Sequence, residues 1–455
     1  MVGNLLQIRL PRLHLQLEHW ARELGDLYTL QLLGKRQLVV GNTALIQEIL
    51  QARPDDYRRW TEVEPMTRET GTFGVFSAEG STWKTQRKLV MPAFSMRQLR
   101  ELYPTIAVHT ERLRSHWLQA AASKAVVDVR ADLMRFAVDV TSRIVFGHDL
   151  NTLEGHHSEL QGHLSRMFSA ANQRITAPFP YWRYVKLPRD RALDRSLKIV
   201  HALLRELIAA RRAALARDPF APKTLLEAML AAQQSASAEE RLSDEEITGN
   251  VLTLLIAGED TTSNTLTWML YYMAYENGVQ TQLQAEVDAH CGSQPALVGY
   301  EAIAKLRYAS ALTQETLRLK SAAPLVLVEP TRTLKLGGWQ LPAGTKLYLL
   351  TRHAAMSADN FHQSHAFMPE RWLEGTAAAE CPVHRPRSML AFGGGPRTCP
   401  GRALALLECA MVSSMVARNF TLEGAAPRDS VDEVFDFTMV PRGVRLRFRA
   451  RELAS

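Results

Sequence analysis

Residues 392–401 read Phe-Gly-Gly-Gly-Pro-Arg-Thr-Cys-Pro-Gly, and they hold the side chain with the clearest chemical potential, Cys399. Four glycines and two prolines in this stretch preset a tight loop rather than a helix or strand. Arg397 stands two residues before the cysteine, and a run with helical spacing, Arg402 to Glu408, follows it. The N–H groups of such a loop and the positive end of a following helix both favour an anion, so the arrangement suits a thiolate. Metal binding, phosphate binding and plain packing of a small apolar side chain are the competing uses. A zinc site with Cys381 and His384 falls short on count, because a structural site wants four closely set ligands. A phosphate loop falls short because no Lys-Ser/Thr pair follows the glycines.

A second concentration of chemistry lies upstream. Glu259-Asp260-Thr261-Thr262-Ser263-Asn264 are six consecutive polar residues set between apolar stretches 251–258 and 266–272. Six in a row cover every face of a helix, so some point inward, where a charge is costly without a partner or a task. Ser243 and Glu246 form a capping box and Asn277-Gly278 a stop, which predicts a helix about 50 Å long. Gly258 just before the polar run invites a local distortion. Glu315 and Arg318 are three apart on a predicted helix over 308–320, and Trp83 and Arg87 share one face of a helix that opens at 81 with Ser81 as its cap. Taken singly, these pairs read as solvated ion pairs or packing, and a mid-helix threonine as a residue bonded back to a carbonyl.

The elements that must carry these residues are mostly helical. Leu, Ala, Arg, Glu and Met recur at helical spacing through most of the chain, so the expected fold is mainly α with small β-sheets. Residues 27–33 and 36–40 read as a hairpin around Gly34-Lys35, with a helix from Asn42. Residues 61–80 are polar and aperiodic and read as a long surface loop. Helices are expected over 96–122 and 127–146, and strands within 325–350, followed by an irregular stretch over 361–387. Residues 177–188 form an apolar, aromatic break that suits a lid, a contact surface or a packed connection, and 231–240 reads as a linker.

The 455 residues are 22% charged and 46% hydrophobic, which is ample material for a large soluble core. Four cysteines, Cys291, Cys381, Cys399 and Cys409, argue against a disulfide scaffold and for a reducing compartment, the cytoplasm. No window reaches the length of a transmembrane helix, and the first residues lack a signal peptide's basic and apolar regions. The net charge of +7 is spread along the chain. That disfavours nucleic acid and favours a local basic face for an acidic protein.

In chain order the motifs are Trp83-x-x-x-Arg87, Ala257-Gly-Glu-Asp-Thr-Thr262, Glu315-x-x-Arg318, Pro369-Glu-Arg-Trp372 and the 392–401 loop. Together, over about residues 4–451, they closely resemble the cytochrome P-450 family of haem-thiolate monooxygenases. The resemblance implies one catalytic domain over 1–455, with a β-rich part at about 25–60, a helical core at about 81–320 and a Cys-loop region at 388–410. Haem b would lie between the long central helix and the Cys-loop with its following helix.

By the same resemblance Cys399 is the axial iron ligand, a thiolate that favours O–O cleavage. Arg397, Arg87 and Trp83 would hold the haem propionates, Phe392 would pack beside the sulfur, and Gly401 and Ala257 would also border the cofactor. Glu315, Arg318 and Arg371 resemble the family's buried ion network. Asp260 and Thr261 resemble its proton-delivery pair, with Glu259 as an alternative proton source. Phe73, Val75, Val251, Ala257, Val326, Val328 and Met439 are the expected substrate-facing positions.

The implied reaction inserts one atom of O₂ into a hydrophobic small molecule, by hydroxylation or epoxidation. Two electrons would come from NAD(P)H through a separate ferredoxin or flavodoxin/reductase-type donor docked on a basic face near Cys399. A monomer without a transmembrane anchor is expected, either a soluble bacterial-type member or a chain trimmed at its N-terminus. One departure is the wholly apolar stretch 323–328, where many members carry a further propionate-binding Arg or His. Two rival readings share the cofactor: a peroxide-driven peroxygenase, against which the Asp260-Thr261 pair counts, and a non-enzymatic haem sensor or carrier.

Overall fold

Strands Leu27–Leu32 and Lys35–Val40 pair antiparallel and begin a five-stranded sheet. Leu347–Leu349 joins the second strand in parallel, Val326–Pro330 pairs antiparallel with that, and Tyr57–Arg59 closes the edge. Alternate residues of one strand face opposite sides. Leu38 and Val40 therefore pack with Val328 and Leu349 onto Ile46, Ile49 and Leu50 of the helix Thr43–Gln51. Val39 points the other way, into a cluster with Leu17 and Ala21 of the helix Leu13–Leu24. Each fully buried aliphatic side chain of this kind contributes roughly 1.5–3 kcal/mol. Asn42 caps the Thr43–Gln51 helix by accepting the Leu45 N–H at 3.1 Å.

The structure, a computed structural model, describes residues 3–452 apart from 33, 156–158, 178, 218–223, 235, 238–239, 292–293 and 295–298. The chain forms two units. The first comprises Met1–Trp60, Thr110–Leu133 and Thr261–Ser455. It holds the five-stranded sheet, three smaller sheets and the helix Arg402–Asn419, which is covered almost all round from Leu407 onward. A helix buried on every side needs neighbours on every side, and Val279–Cys291 and Arg307–Leu319 are two of them. The second unit comprises Thr61–His109 and Met134–Asp260. It contains the helices Gly80–Val90, Pro188–Arg217 and Leu225–Gln234.

The long helix is Asp244–Tyr275, with its capping box formed: Ser243 N–H donates to Glu246 Oε2 at 2.9 Å and Glu246 N–H to Ser243 Oγ at 3.2 Å. It runs unbroken through Gly258. A Cβ there would sit 3.0 Å from Thr141 Oγ1, so the glycine serves close helix packing rather than a distortion.

Three expectations need correction. Residues 61–80 are not a surface loop. They contain the helix Val63–Glu69, and Met66, Phe73 and Val75 are buried. The segment is tied to the long helix: Val75 N–H donates to Asn250 Oδ1 at 2.8 Å and Thr253 Oγ1 to the Thr72 carbonyl at 2.9 Å. Gly249 allows the approach, since a Cβ there would lie 2.0 Å from the Phe73 carbonyl oxygen. Ser81 is not a cap either. Gly80, at φ +57°, turns the chain into the helix one residue earlier and leaves Ser81 in the first turn. Finally, Val127–Asp128 is a short strand on Arg445–Ala450, and the helix starts at Val129.

In the stretch 177–188, Tyr181–Arg183 forms a turn with Trp182 buried, while Phe179, Tyr184 and Val185 are exposed; residue 178 lies outside the described residues. Residues 235, 238 and 239 of the predicted linker also lie outside them, as does residue 33 of the predicted hairpin. No helix among the described residues is long and apolar enough to cross a membrane.

The buried helix Arg402–Asn419 carries an unusual group. Glu408 is 3% exposed, its Oε2 has no hydrogen-bond partner among the described residues, and burial pushes its carboxyl up to about 8. An acid whose folded pKa is raised gives most stability below the unfolded pKa, and loses it as pH climbs toward the folded value. Glu408→Gln should therefore match the parent near pH 4 and be more stable at pH 8, by several kcal/mol (~5 at the full shift). Thermal melts of both proteins across that range check it, and parallel pH profiles would refute it.

Candidate active site

The loop 392–401 is folded by its own backbone and pinned to the core. Leu390, just before it, belongs to the buried cluster under the five-stranded sheet. Gly393 N–H donates to the Leu390 carbonyl at 2.8 Å, Thr398 N–H to the Gly395 carbonyl at 3.1 Å, and Cys399 N–H to the Phe392 carbonyl at 3.0 Å. Gly395 has φ +63°, and a Cβ there would meet the Leu50 carbonyl oxygen at 2.3 Å. Only glycine satisfies both the conformation and the approach.

The loop therefore rides on the end of the helix Thr43–Gln51. Gly401 is the N-cap of Arg402–Asn419, and Cys399 sits exposed just ahead of that helix. The Arg402 guanidinium lies 5.7 Å from the centre of the Phe392 ring. Arg397 is half-buried on the same loop. A helix N-terminus, an arginine and loop N–H groups all favour the thiolate form.

Among the described residues no three His, Cys, Asp or Glu side chains are grouped to hold a metal ion by themselves. Cys399 is the one thiol on this loop. A single exposed thiolate donor on a rigid, glycine-cradled loop fits a metal that brings its remaining ligands with it, as iron in a porphyrin does. His384, the other half of the rejected zinc pairing, is packed edge-on against Phe361 and Trp372.

In the same unit Glu315, Arg318 and Arg371 are fully buried around one carboxylate. Arg318 donates Nε and Nη2 to Glu315 at 2.9 and 2.8 Å, and Arg371 donates Nε at 3.1 Å. Two further donors complete the shell: Met368 N–H at 2.9 Å and Trp372 Nε1 at 2.8 Å. Further guanidinium hydrogens go to the carbonyls of Ala355, Ser364, Ala366, His362 and Gln363. The Phe361 ring lies beneath both arginines, 5.1 and 5.9 Å away. Sequence reasoning overlooked Trp372 and Phe361 as parts of this network, although the Pro-Glu-Arg-Trp motif held the first.

A second buried network has no local sequence signal. Arg352 donates two hydrogen bonds to Glu18, at 2.8 and 2.6 Å, and one to Glu433 at 2.9 Å. Lys320 and His14 also reach Glu433, and these partners hold the carboxyl well below its ordinary range against the cost of burial.

The polar run of the long helix divides between tasks. Thr262, Ser263 and Asn264 are buried. Asn264 accepts from Arg130 Nε at 2.9 Å and donates to Thr438 Oγ1 at 3.2 Å. Thr265 and Thr267 bond back to the carbonyls of Thr261 and Ser263. Glu259 is buried, Asp260 and Thr261 are half-buried, and Ala257 is exposed. Thr261 belongs to the first unit, while Ala257, Glu259 and Asp260 belong to the second.

Trp83, buried, and Arg87, half-buried, also lie in the second unit, on the helix Gly80–Val90. Of the substrate-facing candidates, Phe73, Val75 and Val251 are buried in the second unit, with the Arg68 guanidinium 3.6 Å from the Phe73 ring centre. In the first unit Val326 is half-buried. Val328 belongs to the sheet core, and Met439 is fully covered, its sulfur accepting from Trp268 Nε1 at 3.2 Å.

The chain is helix-rich and carries an exposed cysteine on a glycine loop ahead of a buried helix. Comparison with known proteins identifies its family. The family model described as Cytochrome P450 matches residues 1–448. A relative from Oryza sativa subsp. japonica, Cytochrome P450 714D1, is 30% identical over 94% of this chain and 76% of its own length. Another, the "Self-sufficient cytochrome P450 monooxygenase CYP505E4" of Penicillium expansum, is 26% identical over 99% of this chain but only 42% of its own length. Thus the chain spans less than half of that relative. The solved structure of the cytochrome P450DA heme domain superposes with a TM-score of 0.86 at 24% identity, covering 99% of this chain and 96% of that one. The chain belongs to the cytochrome P450 family.

Proposed function

We propose that the protein inserts one atom of O₂ into a hydrophobic small molecule, releasing the other as water. The observation that carries this is Cys399, exposed on a glycine loop at the start of a buried helix, in a chain whose family match runs almost end to end. A haem, when bound, supplies reductive activation of O₂ and oxygen transfer to a C–H or C=C bond. The chain's own residues do the rest. Cys399 provides the thiolate, and the loop N–H groups tune it. Arg397, Arg87 and Trp83 hold the carboxylates of the cofactor, a task that suits the guanidinium fork.

Asp260 and Thr261 deliver protons, the carboxyl from the edge and the hydroxyl inward; Glu259, more deeply buried, serves second. Ala257 and Val326, the more open of the apolar candidates, face the substrate. Such a lining fits a fatty acid, terpene, steroid or aromatic compound. Two electrons arrive from NAD(P)H through a ferredoxin or flavodoxin/reductase-type donor. The protein works as a monomer in the cytoplasm, a reducing compartment suited to its few thiols.

The deciding experiment is the absorption spectrum of the reduced, CO-bound protein. A strongly red-shifted Soret band supports thiolate ligation, while a band at the histidine-ligated position, or no haem, refutes the assignment. A substrate panel read by spin-state shift identifies the substrate class. Product formation with NADPH alone, against NADPH plus added reductase, reports the donor. Thr261→Ala is expected to retain binding and raise peroxide release per electron several-fold, consistent with the ~10²-fold or larger contribution of a positioned proton donor. Unchanged coupling of electrons to product would remove Thr261 from proton delivery.

A further inference from the structure

In the second unit the helices Glu159–Thr176 and Pro188–Arg217, with the turn Tyr181–Arg183 between them, border a half-open pocket of about 150 Å³. Its polar lining is Arg166, Gln173, Arg174, Tyr181, Arg189 and Asp190. Three guanidinium groups thus share the space with one carboxylate. Arg189 donates Nε and Nη2 to the Tyr181 hydroxyl at 3.2 and 2.8 Å. Arg166 donates Nη1 to His163 Nδ1 at 3.1 Å and to Ser196 Oγ at 3.3 Å.

Arg174 is different. It is nine-tenths buried, and its guanidinium stacks 4.9 Å from the Trp182 ring centre. It forms two long ion pairs, with Glu69 at 3.9 Å and Asp190 at 3.8 Å, both beyond hydrogen-bond reach. Its Nε has no hydrogen-bond partner among the described residues. Both carboxylates also accept hydrogen bonds from other donors. Asp190 accepts the Leu187 N–H at 3.0 Å, and Glu69 accepts from Trp182 Nε1 at 2.8 Å and from Arg183. A buried donor left in this state costs roughly 1–3 kcal/mol, and more when charged.

We propose that this pocket is a binding site for a phosphate-type oxyanion, held by Arg174 with Arg166 and Arg189. The volume is ample for one tetrahedral anion with accompanying water. Planar guanidinium forks are the side chains best shaped for its oxygens. Three arginines against Asp190 on the lining and Glu69 beside Arg174 leave a net positive charge, which sets the sign of the ligand. Two sources present this chemistry: a small phosphate-bearing solute, and the headgroup of an anionic phospholipid. The second source would also engage Phe179, Tyr184 and Val185, exposed on the same connection.

The test uses the full chain and two variants, Arg174→Gln and the double substitution Arg166→Gln/Arg189→Gln, whose arginines are exposed and whose loss should leave folding intact. Inorganic phosphate is titrated by calorimetry against chloride at matched ionic strength. In parallel, the proteins are sedimented with phosphatidylglycerol or phosphatidylcholine vesicles. Saturable phosphate binding, weakened about tenfold in both variants, supports the site with a soluble ligand. Binding only to phosphatidylglycerol vesicles, with the same loss in both variants, supports it with a lipid headgroup. No saturable binding in either arm, or binding unchanged in both variants, overturns the proposal.

Discussion

Cys399→Ser is expected to abolish the red-shifted Soret band of the reduced, CO-bound protein and to lower turnover by more than about a hundredfold, the upper end for losing only outer support of a ligand. The chemistry decides the direction. A serine hydroxyl stays protonated near neutral pH, so the loop N–H groups and the helix N-terminus that favour a thiolate find no anion to stabilise. The structure separates this loss from a folding defect. The side chain of Cys399 is exposed, and the hydrogen bond from its backbone to the Phe392 carbonyl survives substitution. The clamp that shapes the loop, Gly395 against the Leu50 carbonyl, is also untouched. The melting temperature of the cofactor-free variant should therefore match that of the cofactor-free parent. A retained red-shifted band in the variant would mean that another thiol, Cys381, Cys291 or Cys409, ligates the iron. The last two are buried, and burial pushes the Cys409 thiol well up, against ionisation.

What could be read in the sequence was what depends on near neighbours. The capping box at Ser243, the Asn42 cap, the hairpin and the glycine loop before Cys399 are set by residues within a few positions of one another. What could not be read depends on partners far along the chain. Residues 61–80 are polar and aperiodic, and they are ordered by Gly249, Asn250 and Thr253 of the long helix. Arg352 finds Glu18 and Glu433 across large separations, and no spacing rule reaches that far. Gly258 reads in the sequence as a point of distortion, and only the Thr141 side chain opposite it shows that it serves packing. The polar run 259–264 was correctly suspect, yet much of it is spent on structure: Asn264 bridges Arg130 and Thr438, and Ser263 and Thr261 lend their carbonyls to later threonines. Apolar character alone could not separate Val326, which is half-open, from Val328 and Met439, which are fully covered.

Glu315→Gln is expected to destabilise the fold by about 3–5 kcal/mol, the range for stripping one partner from a buried ion pair. Total stabilities are about 5–15 kcal/mol, so the variant should accumulate as insoluble or haem-free protein at growth temperature. The size follows from the five hydrogen bonds that Glu315 accepts. A glutamine keeps the shape but presents an NH₂ to donors on one side. On the Oε2 side those donors are Arg318 Nε and Trp372 Nε1; on the Oε1 side they are Arg318 Nη2, Arg371 Nε and Met368 N–H. Either orientation sets donor against donor, and both guanidinium groups lose the carboxylate they share while remaining 0–1% exposed. Arg371→Lys should fall between parent and Glu315→Gln, because it keeps the charge and forfeits the carbonyl bonds to His362 and Gln363. The control is the exposed pair Arg307–Glu374, whose side chains are 64% and 97% exposed. Breaking it by Arg307→Gln should cost under about 1 kcal/mol. Denaturant midpoints of the three variants at constant m-value measure the order directly. A Glu315→Gln midpoint equal to that of Arg307→Gln would mean that water reaches the carboxylate and that the network does not hold the fold.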